Sequence, residues 1–213
     1  MKLYKDTMTL YAITDRRWTQ TQTLFEQVDL ALKGGVTCIQ LREKNLDEKT
    51  FLEEAKEIKK LCRKYNVPFI INDNVKIAIQ CRADGIHLGQ DDMNIKDVKK
   101  LVGNDTIIGI SAHTLEQAIK AEREGADYLG VGAVFSTSTK NNTHKVSYNT
   151  LKEICNSVNI PVVAIGGINK KNIKQLAGTN IAGVAVISAI FATTDIEKEC
   201  KDIKRIIIEN KII

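Results

Sequence analysis

The chain has 213 residues, of which 43% are hydrophobic and 27% are charged, and this length suits one domain with a substantial core. The composition excludes disordered, collagen-like and disulfide-dense secreted proteins. The formal charge of +5 is a mild excess of cations, which permits a phosphate-bearing partner but does not indicate a nucleic-acid binder.

Eight short apolar runs alternate with charged, amphipathic segments along the whole chain. We predict strands at positions 10–14, 38–42, 68–72, 85–88, 107–111, 128–131, 162–165 and 183–187. The clearest helix is 47–64, where apolar residues recur every three or four positions between lysines and glutamates. Capping-box spacing predicts two further helix starts, at Thr114 and Thr194.

Strands that alternate with helices indicate a parallel sheet, because parallel neighbours need crossover connections. Eight such units can close into a barrel or lie in an open, doubly wound sheet. Closure is favoured by the eight repeats, by the short strands and by the lack of a G-x-G-x-x-G fingerprint, whose nearest match fails at Phe135. We therefore predict a single α/β domain over residues 1–213, a (β/α)8 barrel of the TIM class.

The cysteines and the apolar stretches bear on the cell compartment. Five cysteines are scattered without a CxxC pair, so we expect reduced thiols in or near the core. The first residues lack a signal-peptide segment, and the longest apolar stretch, 183–192, is shorter than the ~20 residues of a membrane span. We expect a cytoplasmic protein with no membrane and no nucleic-acid partner, and the sequence is compatible with a homo-oligomer.

Polar side chains collect where the predicted strands end, which is where barrel active sites form. Arg42 and Lys44 lie two positions apart after the second strand and point to the same side of an extended segment, and Lys140 follows the sixth strand. Three cations at one rim suit a diphosphate. The alternative is that Arg42 pairs locally with Glu43 and that Lys44 is solvated.

Asp73 and Asp92 end consecutive strands, which are neighbours in a barrel. Two carboxylates beside phosphate-binding cations suit a magnesium ion that is shared with the phosphates of a substrate. Each carboxylate also has an alternative role as a helix cap. Asp73 could cap a helix that begins near Val75, and Asp91 or Asp92 could cap the helix after the fourth strand.

The ends of the last two strands predict a phosphate cradle. Gly166 and Gly167 allow a close approach of the backbone, and Ser188 could add a hydroxyl group, although a tight strand-to-helix turn would use the same glycines. The long loop 133–146 is typical of a lid over a site.

The histidines and the common catalytic motifs add little. His87 lies inside the fourth strand and is predicted to be a core residue, His113 stands at the rim, and His144 belongs to the lid. No H-E-x-x-H, G-x-S-x-G or Walker lysine motif occurs, so zinc-protease, nucleophile-elbow and P-loop chemistry are not indicated.

Six segments at or near the predicted strand ends carry a recognisable pattern: 11–15 (YAITD), 40–44 (QLREK), 72–73 (ND), 84–92 (DGIHLGQDD), 135–140 (FSTSTK) and 164–168 (AIGGI). Taken in order, these segments resemble the thiamine-phosphate synthase family over essentially the whole chain. Each is weak alone, but all of them in order at strand ends are specific. One departure is Ser136, where the family commonly has proline, and it bears on the lid rather than on the chemistry.

The resemblance implies a substrate pair, a metal and a set of site residues. The residues implied for hydroxymethylpyrimidine diphosphate are Gln40, Leu41, Arg42, Glu43, Lys44, Asn72, Ser111 and Lys140. Those implied for hydroxyethylthiazole phosphate are Thr137, Ser138, Thr139, Gly167, Ile187 and Ser188. One Mg²⁺ ion per subunit is implied at Asp73 and Asp92. The implied reaction is dissociative: diphosphate leaves, and the thiazole nitrogen captures a pyrimidine carbocation to give thiamine phosphate.

Three other functions stay open. A thiazole tautomerase-like isomerase shares the fold and the terminal phosphate loops, and the Asp73–Asp92 pair argues against it. A Schiff-base aldolase could use a strand-end lysine such as Lys44. A non-catalytic barrel that binds a phosphate ligand would need no metal and would show no turnover.

Overall fold

The computed structural model describes residues 5–136 and 145–213. Its strands are β1 (Leu10–Ile13), β2 (Cys38–Leu41), β3 (Phe69–Asn72), β4 (Gly85–Leu88), β5 (Ile107–Ala112), β6 (Tyr128–Val131), β7 (Val162–Ile165) and β8 (Gly183–Val186). They are parallel and form a closed barrel in chain order, in which β1 pairs with both β2 and β8. The predicted (β/α)8 barrel is confirmed, and each predicted strand end is correct to within one residue.

Helices follow the strands and cover the outside of the barrel. They are α1 (Leu24–Lys33), α2 (Glu48–Lys64), α3 (Val75–Gln80), α4 (Ile95–Val102), α5 (Leu115–Glu124), α6 (Tyr148–Ser157), α7 (Ser188–Phe191) and α8 (Ile196–Glu209). Short 3-10 segments occupy Lys5–Met8, Arg16–Trp18 and Ile173–Leu176. The predicted helix 47–64 is confirmed as α2. Asp47 caps it by accepting a hydrogen bond from the Thr50 backbone N–H at 3.0 Å.

Successive strand residues point to opposite faces, and this alternation separates two hydrophobic cores. Leu10 and Ala12 of β1 pack outward against the helices, whereas Tyr11 and Ile13 of the same strand fill the barrel interior. Tyr128 of β6 joins the interior cluster. The interior is thus a packed core below the rim, and only its upper part is left for a ligand.

The five cysteines are free thiols, as predicted. Cys38, Cys62, Cys81 and Cys200 are buried, and Cys155 is half-buried. Burial raises the pKa of Cys62, Cys155 and Cys200, each to about 12. Among the described helices, none combines the length and the apolar character that crossing a bilayer requires.

One of the two predicted helix starts is wrong by one residue. Thr114 caps α5, and its hydroxyl accepts from the Gln117 backbone N–H at 3.3 Å. Helix α8, however, is capped by Asp195, whose carboxylate accepts from the Lys198 backbone N–H at 3.0 Å, and not by Thr194. A carboxylate is favoured there because the helix N-terminus carries partial positive charge.

Replacing the cap of α8 tests this assignment. We expect Asp195→Ala to lower the free energy of unfolding by about 1 kcal/mol, because it removes an acceptor from the first turn. Thr194→Ala is the matched control and should change the stability by less than about 0.5 kcal/mol. Urea denaturation measures both variants, and a larger loss in Thr194→Ala than in Asp195→Ala would contradict the assignment.

Candidate active site

A cavity opens in the barrel interior at the carboxyl ends of the strands. Seven of the residues predicted to bind substrate line it: Gln40, Arg42, Asn72, Ser111, Gly167, Ile187 and Ser188. Tyr11, His87, His113 and Tyr128 also line it, although they were not among the predicted binding residues. Thr137, Ser138, Thr139 and Lys140 lie outside the described residues.

The floor of the cavity is a line of hydrogen-bonded side chains that joins five strands. Gln40 Nε2 donates to Tyr11 Oη at 2.8 Å, and Tyr11 Oη lies 2.8 Å from Tyr128 Oη. Tyr128 Oη is 2.9 Å from His87 Nδ1, and His87 Nε2 is 3.0 Å from Ser111 Oγ. Burial raises the pKa of both tyrosines well above their usual value, so their hydroxyl groups stay protonated.

Two glycines make room for these rings. A Cβ atom on Gly109 would lie 2.1 Å from Tyr128 Cζ, and one on Gly130 would lie 3.0 Å from His87 Cε1. His87 is half-buried and points into the cavity, so the prediction of a core histidine is wrong. Strand alternation could have shown this, because Ile86 and Leu88 on either side belong to the helix-facing core.

Arg42 projects from the end of β2 into the cavity. Its backbone N–H donates to Thr14 Oγ1 at 3.0 Å, and its side-chain Nε is buried with no hydrogen-bond partner among the described residues. Asp15 lies nearby. Burial alone would raise the pKa of Asp15, but hydrogen bonds from Arg17 and the charges of Arg17 and Arg42 lower it overall. Arg42 lines the cavity, and a guanidinium group in this position suits an anionic ligand.

Glu43 stabilises the fold by pairing with Arg16. The alternative in which Arg42 pairs locally with Glu43 is therefore wrong. Its side chain is only 4% exposed and bonds to Arg16 at 3.0 Å. Arg16 also bonds to Glu54 of α2 at 2.7 Å. Burial raises the pKa of Glu43, while Arg16 acts in the opposite direction. Leu41 is fully buried in the helix-facing core, so its side chain points away from the cavity.

Lys44, Asp73 and Asp92 form a charged cluster at the rim. The Lys44 ammonium group is bound to the Asp73 carboxylate, so Lys44 is not merely solvated. Burial alone would raise the pKa of Asp73, but Lys44 lowers it overall. Burial and the charge of Asp73 raise the pKa of Asp92. The Gly89 N–H, which donates to the Asp92 carboxylate at 2.6 Å, acts in the opposite direction. The pKa of each carboxylate is affected by the other, so the two groups are neighbours.

Neither carboxylate caps a helix, so the capping alternative is wrong for both. Asn74 caps α3 by accepting from the Ile77 N–H at 3.0 Å, and Asn94 caps α4 by accepting from the Asp97 N–H at 3.0 Å. Asp73 instead has a φ of 60°, in the left-handed region that asparagine and aspartate tolerate better than other side chains. The chain therefore turns sharply after β3, where the carboxylate meets Lys44.

The pair fits a divalent cation that completes its coordination with substrate oxygens. Asp73 and Asp92 are neighbouring carboxylates with Lys44 bound to Asp73, and burial together with the charge of Asp73 raises the pKa of Asp92. Among residues 5–136 and 145–213, no group of three or more His, Cys, Asp or Glu side chains is arranged to hold a metal. Mg²⁺ is commonly held by one or two carboxylates together with phosphates and water, which two aspartates satisfy.

On the side of the cavity opposite the charged cluster, the wall is formed by the backbone that follows β7. Gly166 and Gly167 have φ values of 103° and 65°, and a Cβ atom on Gly167 would lie 2.4 Å from the Ser136 carbonyl oxygen. The Asn172 side chain donates to the Gly167 carbonyl oxygen at 2.8 Å and braces this turn. Ser188 begins α7 and is exposed at the rim.

His113 is held beside the cavity by two hydrogen bonds. Its Nδ1 lies 2.5 Å from the Gly132 carbonyl oxygen, which can only accept, so Nδ1 carries a proton. Its backbone N–H donates to Gln117 Oε1 at 2.7 Å. The expected rim position is thus confirmed, and the ring orientation is fixed by the backbone immediately after β6.

Comparison with known proteins identifies the family. The family model described as thiamine monophosphate synthase matches residues 10–190. The thiamine-phosphate synthase of Clostridium tetani is 51% identical over 195 residues, which cover 92% of this chain and 93% of the relative. The chain belongs to the thiamine monophosphate synthase family. The thiamine-phosphate synthase of Clostridium botulinum is 48% identical over 195 residues, with 92% of each chain covered.

Comparison with a solved structure supports the same family assignment. The thiamine phosphate pyrophosphorylase from Pyrococcus furiosus superposes with a TM-score of 0.89 at 40% identity, covering 97% of this chain and 98% of that one. The resemblance drawn from the strand-end motifs is therefore confirmed, as is the expectation of an enzyme, a transferase of thiamine biosynthesis.

The scaffold role of Glu43 yields a stability prediction. Arg16→Ala should lower the free energy of unfolding by about 1–2 kcal/mol, because it leaves the enclosed Glu43 carboxylate beside Glu54 without its cation. The loss should shrink as the pH falls below the raised pKa of Glu43, since a neutral carboxyl needs no cation. Chemical denaturation at several pH values measures it.

Arg205→Ala is the matched control. Arg205 pairs with Asp202 on the exposed side of α8, so its loss should change the stability by less than about 0.5 kcal/mol. Equal losses in the two variants at neutral pH would contradict the scaffold role of Glu43.

Proposed function

We propose that the chain is a thiamine-phosphate synthase. It would join 4-amino-2-methyl-5-(diphosphooxymethyl)pyrimidine to 4-methyl-5-(2-phosphoethyl)thiazole and form thiamine phosphate and diphosphate. The observation that carries the proposal is the rim cluster of Lys44, Asp73 and Asp92 beside a cavity with a hydrogen-bonding floor. The names of the close relatives support the same reaction.

The cations at the rim would bind the diphosphate group of the pyrimidine substrate. Arg42 offers a buried Nε that has no protein partner among the described residues, and Lys44 adds a positive charge at the same side of the mouth. Both stabilise negative charge that grows on the leaving group, which is where preorganised charge accelerates a reaction. Lys140 remains a predicted third cation.

Asp73 and Asp92 would hold one Mg²⁺ ion next to the diphosphate. When bound, the ion supplies positive charge that neutralises the departing diphosphate. Lys44 orients the Asp73 carboxylate, and the Gly89 N–H orients the Asp92 carboxylate, so both donors are positioned by the chain.

The proposed reaction needs neither a nucleophilic residue nor a general base at the bond that forms. The C–O bond between the pyrimidine methylene carbon and diphosphate breaks, and both electrons leave on the diphosphate oxygen. The lone pair of the thiazole nitrogen then forms the C–N bond and leaves a thiazolium cation. The contribution of the protein is therefore charge stabilisation and the alignment of the two rings.

The second substrate would be held by its phosphate on the opposite side of the cavity. Gly167, Ile187 and Ser188 present backbone and a hydroxyl group there, and the brace from Asn172 keeps the Gly167 turn in place. Thr137, Ser138 and Thr139 remain predicted lid contacts to the same phosphate. In the proposed arrangement, the thiazole nitrogen would face the pyrimidine across the cavity.

The other functions receive less support. A Schiff base forms from an unprotonated amine, whereas the Lys44 ammonium group is bound to a carboxylate. A thiazole tautomerase-like isomerase or a phosphate-binding barrel without catalysis would leave the paired carboxylates at Asp73 and Asp92 without a purpose.

A coupling assay tests the proposed reaction. The purified protein, both phosphorylated substrates and Mg²⁺ should give thiamine phosphate and diphosphate in equal amounts. Chromatography measures both products. Omission of either substrate or addition of a chelator should stop product formation. Binding of both ligands without product would favour the non-catalytic barrel.

Asp92→Asn tests the metal assignment. It keeps the shape of the side chain but removes a charge from the carboxylate pair, so we expect kcat to fall at least about a hundredfold with an unchanged circular dichroism spectrum. Asp91→Asn, at the adjacent exposed position, is the matched control and should keep wild-type turnover. Full Mg²⁺-dependent activity in Asp92→Asn would refute the assignment.

A further inference from the structure

The hydrogen-bonded line across the cavity floor has a direction, which is set at Gln40. The Nε2 atom of Gln40 is an amide nitrogen and can only donate, so Tyr11 Oη accepts its hydrogen bond at 2.8 Å. The Tyr11 hydroxyl proton is then available for the second neighbour of that oxygen, Tyr128 Oη, at 2.8 Å. Tyr128 therefore accepts from Tyr11.

The same reasoning continues through His87. Tyr128 has a single hydroxyl proton and accepts from Tyr11, so it donates to His87 Nδ1 at 2.9 Å. A neutral imidazole that accepts at Nδ1 carries its proton on Nε2. His87 Nε2 then donates to Ser111 Oγ at 3.0 Å. The direction that is set between β2 and β1 thus extends to Ser111 on β5.

We propose that Tyr11, Tyr128 and His87 are positioning residues that make the Ser111 hydroxyl a hydrogen-bond donor toward the substrate. Ser111 lines the cavity, and its oxygen already accepts from His87, so its own proton is directed away from His87. The ligand atom that receives it must be an acceptor. For a heterocycle, this is an unprotonated ring nitrogen and not an amino group.

The other end of the line presents the opposite character. Gln40 also lines the cavity, and because its Nε2 is committed to Tyr11, its carbonyl oxygen is the atom left for a ligand. A ring that carries both an amino group and an unprotonated nitrogen satisfies an acceptor at Gln40 and a donor at Ser111. The identification of that ring as the aminopyrimidine rests on the proposed function.

Packing holds the line in one arrangement. Tyr11 is 2% exposed and Tyr128 is fully buried, so neither hydroxyl group can exchange its partner for bulk water. Gly109 admits the Tyr128 ring at a distance that a Cβ atom would not allow, and Gly130 gives room to the His87 ring. Ser111 is also fixed through its carbonyl oxygen, which accepts from Gln90 Nε2 at 2.6 Å.

The protonation of His87 in the ligand-free protein gives the first test. The chain has three histidines, so ¹⁵N-histidine labelling with His113→Asn and His144→Asn variants assigns the His87 resonances. We expect a neutral ring with its proton on Nε2. A proton on Nδ1, or on both nitrogens, would reverse or break the line and overturn the proposal, whatever the activity of the protein.

Turnover gives the second test. Ser111→Ala should raise the KM for the pyrimidine diphosphate about tenfold, and Tyr128→Phe, which does not touch Ser111, about three- to tenfold. Because Tyr128 acts through Ser111, the double variant should be no worse than Ser111→Ala alone. Tyr11→Phe should raise the KM at least as much as Tyr128→Phe, because it also releases Gln40 Nε2 from its partner, and it provides a second variant if the first does not fold.

Tyr148→Phe is the matched control, because it removes a tyrosine hydroxyl that donates to the Ala177 carbonyl oxygen away from the cavity, and its KM should be unchanged. Factors that multiply in the double variant, or an unchanged KM in Ser111→Ala, would overturn the proposal. If the wild-type chain forms no thiamine phosphate, the proposed function fails, and the His87 proton still decides the direction of the line.

Discussion

The pairing of β1 with β8 closes the sheet, and closure brings the carboxyl end of every strand to one rim. Tyr11 and Tyr128 are 117 positions apart in the chain, and yet their hydroxyl groups lie within hydrogen-bond distance because both project into the same interior. The cluster of Lys44, Asp73 and Asp92 has the same origin, because β2, β3 and β4 are neighbouring strands of the barrel. An open sheet would not enclose these groups.

The barrel interior is small, so placing aromatic rings there has a steric consequence on other strands. Tyr128 lies against Gly109 at a contact that leaves no room for a methyl group, and His87 lies against Gly130 at a contact that would be tight for one. These glycines stand within strands, where the residue is unfavourable for conformational entropy and packing. Their presence there follows from the polar floor, which links the packing of the interior to the recognition of a ligand above it.

Much of this could be predicted from the sequence, because strands and helices differ in hydrophobic period and strand ends in a barrel share one rim. That reasoning located Arg42, Asp73 and Asp92 without a structure. It could not assign partners: Glu43 pairs with Arg16, which is 27 positions away, and Asn74 and Asn94, not the aspartates, cap α3 and α4. Partner choice depends on side-chain direction after a turn, as at Asp73, and sequence spacing does not encode it.

The enclosed thiols affect the chemical durability of the protein. Because burial raises the pKa of Cys62, Cys155 and Cys200 to about 12, these thiols stay protonated at neutral pH. The thiolate is the form that attacks disulfides, peroxides and electrophiles, so these side chains are slow to react even though they are unpaired. The helices around the barrel thereby hold reduced sulfur whose protection comes from burial and not from a disulfide.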